Sequence, residues 1–245
     1  MDEALLTSFA SIEDVHWWFV ARRAIVLDIL RSGLESAPRV ILEVGCGTGG
    51  MLSDLADEFP EACTRGVGPS RGAREAARRR GCEVVEGVFG ALPAEDGSVD
   101  LVVALDVLEH CESESQAISE AYRVLRPGGH LVLTVPALPW LWGSHDEVNR
   151  HYRRYTARSL RVAIAAAPFA TSRVTHFNTL LLPLAAAARV FGRLTGAKGA
   201  IGVDLPPPPL NRALLAVFRS ERLLLRRHDL LVGMSLLALA RKPLV

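Results

Sequence analysis

Apolar residues in the first 136 positions come in short runs that alternate with mixed, helix-like stretches. The run Val40-Ile41-Leu42-Glu43-Val44 carries a single carboxylate and suits a strand buried on both faces. Met51 to Asp57 then reads as a helix. The same alternation predicts a second strand over residues 62–68, a helix over 69–80 ended by Gly81, and a short third strand over 82–86. Val88 to Pro93 reads as a loop, and Asp100 to Asp106 as the fourth strand. A helix is expected from there to about Leu125, a turn at Arg126-Pro127-Gly128-Gly129, and a fifth strand over 130–135 that Pro136 stops. Strands and helices alternating at this pitch imply an α/β, doubly wound, mostly parallel sheet. A ligand is expected at its carboxyl edge.

The flanks break this rhythm. Residues 1–36 are expected to form a helical extension centred on Val15-His16-Trp17-Trp18-Phe19, and residues 37–245 the main domain. The extension suits an aromatic anchor, or a lid in which Trp17 or Trp18 walls a pocket and Arg22 or Arg23 meets an anionic group. Residues 137–160 read as a long loop leaving the end of the fifth strand, where a substrate would sit. Beyond it, Phe169 to Asn178 suggests a sixth strand and Gly233 to Arg241 a seventh. Between them, residues 180–230 read as a helical insertion. It holds an apolar helix over 180–194, a stiff spacer at Pro206 to Pro209, and a basic amphipathic helix from Asn211 to about Arg227. These helices suit core packing or a homodimer contact ahead of a membrane surface.

Composition narrows the class. Apolar residues make up 49% and charged residues 22%, as in a globular protein with a sizeable core. A formal net charge of +1 gives no electrostatic reason to expect nucleic acid as a partner. Four cysteines without C-x-x-C spacing argue against a zinc site or a disulfide framework and for a reducing compartment. The N-terminus is acidic and lacks a basic, then apolar, leader, so a cytoplasmic location is expected.

The chemistry centres on Glu43-Val44-Gly45-Cys46-Gly47-Thr48-Gly49-Gly50, a glycine-rich turn between strand and helix. Glycines there let the backbone approach a bulky ligand, and free N–H groups at the helix start face its negative end. Gly45, Gly47 and Gly50 also satisfy G-x-G-x-x-G. With Glu43 at the strand end, Leu92-Pro93, the Asp100-Leu101-Val102-Val103…Leu108-Glu109-His110 string and the Arg123-to-Gly129 turn, the stretch 38–136 resembles class I S-adenosylmethionine (SAM)-dependent methyltransferases. The His-Trp-Trp-Phe segment is similar to a small-molecule branch of that family.

The resemblance implies a seven-stranded Rossmann-like sheet ending in an antiparallel pair, with SAM as cofactor and methyl transfer to O, N or C of a small molecule. It also implies cofactor contacts from Glu43, Gly45, Cys46, Gly47, Gly49, Gly68, Val88, Phe89, Leu105 and Asp106. Two positions depart from the family pattern. Gly68 stands where a carboxylate usually binds the ribose hydroxyls, and Val88 where an Asp usually meets the adenine amino group. Phe89 is expected to stack on adenine instead. The departures leave two other readings, a repurposed non-methylating protein on this fold and an NADP-binding oxidoreductase using Arg71 and Arg74.

For the acceptor, His145, His151 and His110 are candidate bases, since imidazole titrates near neutrality. Trp17, Trp18, Trp140, Tyr152 and Tyr155 are candidate substrate contacts. A His145/Asp146/His151 metal site has no feature that places those side chains on one face, so no metal is expected.

Overall fold

The computed structural model describes residues 11–187 and 205–244. The N-terminal ten residues and most of the Gly/Ala stretch therefore lie outside the described residues, as does the end of the helix expected over 180–194. Seven strands form one sheet in the order β3-β2-β1-β4-β5-β7-β6. They are β1 (Val40–Val44), β2 (Cys63–Gly68), β3 (Glu83–Glu86), β4 (Val99–Leu105), β5 (Leu125–Pro136), β6 (Ala170–Phe177) and β7 (Ser235–Arg241). All pairings are parallel except those of β7, which runs antiparallel to both β5 and β6.

Side-chain alternation explains why both faces are covered. In β4, Val102 and Ala104 join one core while Leu101, Val103 and Leu105 join the other, and all seven of its residues are buried. A strand buried on both faces needs an apolar residue at nearly every position, which is why β4 reads as a continuous run. The first core is closed by α4 (Glu114–Val124) and α6 (Ala157–Ile164) through Ile118, Ala121, Leu160 and Ile164. The second is closed by α1 (Trp17–Gly33), α2 (Gly50–Glu58) and α7 (Pro208–Leu225) through Ile25, Ile29, Leu55 and Phe218. On the outer edge, α3 (Arg71–Arg79) begins at Ser70, whose hydroxyl accepts from the Ala73 N–H.

The two flanks meet each other. α1 starts where the His16 ring accepts from the Trp18 N–H, and it packs along α7. Asp28 of α1 accepts two hydrogen bonds from Arg222 of α7, both 2.7 Å. That contact holds the Asp28 carboxyl below its ordinary range. Glu221, on the next position of α7, is fully buried and accepts from the N–H groups of Asn178, Thr179 and Leu180, each at 2.7 Å. One acid thus fixes the turn that leaves β6.

Three expectations need correction. Pro208 and Pro209 open α7 rather than forming an extended spacer, since proline suits the first helical turn, whose N–H groups have no helical partner. The stretch 137–160 is not one long loop: it contains α5 (Ser144–Val148) and the first turn of α6, which a Thr156–Ser159 capping box begins. The fifth strand begins at Leu125, before the glycine turn, because Leu125 pairs with Val99 ahead of a register shift.

Candidate functional site

A cavity of about 480 Å³ opens at the carboxyl edge of β1, β4 and β5, under α1. All four non-glycine residues with positive φ among the described residues lie in the loops at this edge: Asp106, Leu138, Arg150 and Asn178. Sparsely populated backbone conformations persist only where the surroundings impose them, and they cluster at functional sites. Asp106 and Asn178 line the cavity.

One end is built on the glycine turn. Gly45 has φ +69 and a Cβ there would sit 2.4 Å from Val107, so no other residue fits without displacement. Gly47 has φ +50, and a Cβ there would meet nothing within 4 Å, which leaves space for a ligand against the backbone. Glu43 is buried beside this turn, and its Oε2 has no hydrogen-bond partner. Burial pushes its carboxyl up to about 8, against the opposing charge of Arg22. A buried acid with an unmet oxygen beside an open backbone cradle fits the ammonium of an amino-acid ligand. This chain's residues therefore fit the methionine part of SAM.

The N-terminal segment covers the same end. Glu13 accepts from the Thr48 hydroxyl, and its own carbonyl accepts from Arg23 at 2.8 Å. Arg22 reaches across to pair with Asp106 and lies over the Trp18 ring, 4.3 Å from its centroid. Arg23 pairs with Asp54 at 2.7 Å. Both arginines thus meet acids of this chain. Trp17 and Trp18 wall the cavity with Leu181 and Leu214.

The opposite end is built from side chains. The Tyr152 N–H donates to the Glu109 carbonyl at 2.8 Å, which brings the segment after β5 against the turn after β4. His110 and His151 then stand edge to face with centroids 4.7 Å apart, and His145 lies 6.0 Å from His151. His151 Nδ1 donates to Asp146 Oδ1 at 3.0 Å, and Arg154 donates to the same oxygen at 2.7 Å. Burial alone would favour the neutral acid. The bonds from His151 and Arg154 override it and hold the Asp146 carboxyl well below the carboxylate range. Burial, then the neighbouring His151, pushes His110 down to about 4, so its ring is neutral at neutral pH. Glu109 is fully buried with neither carboxylate oxygen hydrogen-bonded, and burial raises its pKa, as does the charge of Asp106.

The cavity gathers Glu43, Gly45, Cys46, Gly47, Leu105, Asp106, His110, His145, His151, Trp17 and Trp18 from the sequence-derived candidates. Gly49 lies behind the turn, where a Cβ would press on Ala77. Gly68, Val88 and Phe89 do not line the cavity. Phe89 is 3% exposed in the first core, so its ring packs the interior instead of facing a nucleoside, and Val88 is exposed to solvent. Tyr155 is buried because its backbone pairs with Pro136 and Leu138 and draws the ring inward, while Trp140 and Tyr152 are exposed outside the cavity.

Arg74 does not present a free guanidinium to a phosphate. It donates to the carbonyls of Gly68 and Pro69 and to Glu86. Arg71 pairs with Glu75 on the outside of α3. Sequence reasoning weighed Asp146 only in a metal site it set aside, and it passed over Glu109, Asn149, Arg154 and Glu13 as site residues. Of these, Asn149 and Arg154 lie with Asp146 in the segment dense with titratable groups.

Known proteins point the same way. Residues 42–133 match the family model of the methyltransferase domain. A Streptomyces fradiae protein described as an uncharacterized 37.1 kDa protein in a transposon is 34% identical over 205 residues, covering 76% of this chain and 58% of that protein. A probable S-adenosylmethionine-dependent methyltransferase of Mycolicibacterium smegmatis is 33% identical over 160 residues, covering 64% of this chain and 61% of that protein. The chain spans about three-fifths of the length of these relatives. Among solved structures, the methyltransferase in a complex with the Haloferax volcanii methyltransferase activator superposes with a TM-score of 0.64 at 20% identity. It covers 98% of this chain and 95% of that one, a likeness of fold. Together with the glycine turn and the sheet order, these matches show a methyltransferase domain over residues 42–133 on the Rossmann-like methyltransferase fold, and they support a class I SAM-dependent methyltransferase.

Proposed function

We propose that this protein transfers the methyl group of SAM to a nucleophilic O, N or C atom of a small molecule held at the histidine end of the cavity. The observation that carries the reading is Glu43, a buried carboxyl without a partner for Oε2, set beside a backbone turn that leaves room for a ligand. Glu43 would accept from the ammonium of SAM, and the backbone around Gly45 to Gly47 would hold its methionine portion. Leu105 and Asp106 at the end of β4 would lie along the ligand, with Asp106 held in place by Arg22. Bound SAM supplies a methyl group already activated on a sulfonium. The chain then has to align the acceptor and manage its proton. His110, His145 and His151 gather where that proton would leave, and Asp146 fixes the ring orientation of His151.

The walls from Trp17, Trp18, Leu181 and Leu214 suit an acceptor with an apolar body, and the histidine end suits its polar atom. Among the described residues no helix is long and apolar enough to cross a membrane. Equilibrium dialysis with methyl-labelled SAM tests the reading. Saturable uptake, displaced by S-adenosylhomocysteine and not by NADPH, is expected. A folded protein that takes up neither SAM nor S-adenosylhomocysteine would contradict it.

A further inference from the structure

We propose that Glu109, His110 and His151 form a site for one divalent transition-metal ion, of the zinc or ferrous-iron class, at the acceptor end of the cavity. One ligand atom from each of the three lies within 4.8 Å of the others. Rotamer adjustment within the cavity would bring them to the ~2.0–2.2 Å metal distances of nitrogen and oxygen donors. Two imidazoles and one carboxylate leave coordination positions open, the donor set of catalytic zinc and non-haem iron centres.

Two independent features favour a cation here. Glu109 is completely buried and neither of its oxygens is hydrogen-bonded. Such a group is expensive to bury unless something positive completes it. The nearby guanidinium groups make no hydrogen bond to Glu109: Arg22 pairs with Asp106, and Arg154 bonds to Asp146 and the Ala137 carbonyl. Secondly, His151 donates its Nδ1–H to Asp146, which fixes the tautomer and leaves Nε2 as the donor atom for an ion. Carboxylate–histidine pairs of this kind orient metal ligands, and Asp146 is itself held by Arg154 and the Gly143 N–H.

The inference rests on the proposed methyl-transfer reading for its consequence, and it narrows the acceptor to a hydroxyl-bearing molecule. A hydroxyl oxygen taking an open position on the ion would have its pKa lowered, so the O–H bond breaks and the proton passes to solvent. The oxygen then forms the bond to the methyl carbon while the carbon–sulfur bond of SAM breaks and its electron pair stays on sulfur. His151, with Nε2 engaged by the ion, serves as ligand and not as base.

The test uses full-length protein carrying no polyhistidine tag, stripped with a chelator and titrated with Zn²⁺ by calorimetry and Co²⁺ by visible spectroscopy. One equivalent per chain is expected, with cobalt d–d bands of a four- or five-coordinate site. Glu109→Gln and His151→Ala should each weaken binding at least a hundredfold. Asp146→Asn should weaken it by roughly 10- to 100-fold. Absence of stoichiometric binding by the wild type, or equal affinity in wild type and both ligand variants, would overturn the site. SAM uptake measured on the same stripped samples separates the two proposals. Uptake without metal binding overturns only the metal site, and metal binding without uptake overturns only the methyl-donor reading.

Discussion

The two ends of the cavity are made from different materials. The glycine-turn end is mostly backbone, set between adjacent parallel strands β1 and β4, with one buried acid added. The histidine end is mostly side chains, delivered by segments more than 30 residues apart and stitched together by the Tyr152–Glu109 backbone bond. A backbone cradle can recognise a ligand part common to a whole family, whereas a side-chain cluster can be rewritten for one acceptor. Removing a part should therefore cost differently at each end, in stability at the histidine end and in ligand affinity at the glycine turn.

The largest effect is expected at the histidine end. Asp146→Ala would leave Arg154 without its acid and His151 without its orienting acceptor, both nearly buried, and should cost about 3–5 kcal/mol in urea unfolding. The sign of the pH effect follows from the depressed carboxyl. Its contribution is present above the unfolded pKa of about 3.9 and is lost as the pH falls through the lower folded value. A loss under 1 kcal/mol would mean that the cluster is not held by this acid.

At the glycine turn, Glu43→Gln should leave the fold intact and weaken SAM by roughly 10- to 100-fold, the worth of a hydrogen bond to a charged group. Unchanged affinity in dialysis would erase the distinction between the ends. A smaller gain is expected from Gly68→Asp. Gly68 has no left-handed φ, and an added Cβ would touch only Cys46 Sγ at 3.9 Å, so the carboxylate can be accommodated. SAM binding should tighten by up to about tenfold, one charged hydrogen bond partly offset by ordering the side chain. No gain would place the ribose away from β2. The smallest effect belongs to Arg71→Ala, an exposed pair outside the cavity, which should leave SAM affinity within error.

Legibility in the sequence follows the same division. The run Val40 to Val44 and the glycine spacing announce a strand and a turn locally, and the structure sets both at the cavity. β4 is readable because burial on both faces forces an uninterrupted apolar run. The sequence names His110, His145 and His151 as candidates but not their assembly with Glu109 and Asp146, because those segments are joined by contacts 41 to 43 residues apart. Phe89 and Tyr155 look like pocket aromatics by position, yet their orientation is decided by core packing and by the backbone pairing after β5. Glu221 sits in a helix that reads as basic and amphipathic, and nothing local signals that it caps the turn bearing Asn178. Local patterns disclose backbone sites, and tertiary contacts assemble the rest.

The central claim is that Glu43 is the acid that answers the SAM ammonium, and proton linkage tests it most directly. With its pKa raised to about 8, Glu43 is mostly protonated in the free protein at pH 7 and must ionise to pair with the ammonium. Calorimetric titration with SAM at pH 7, in two buffers of different ionisation enthalpy, should show release of nearly one proton per SAM bound. Affinity should rise from pH 6 to pH 8, and Glu43→Gln should abolish the release. SAM binding without proton release, or release that persists in Glu43→Gln, would contradict this account of the site.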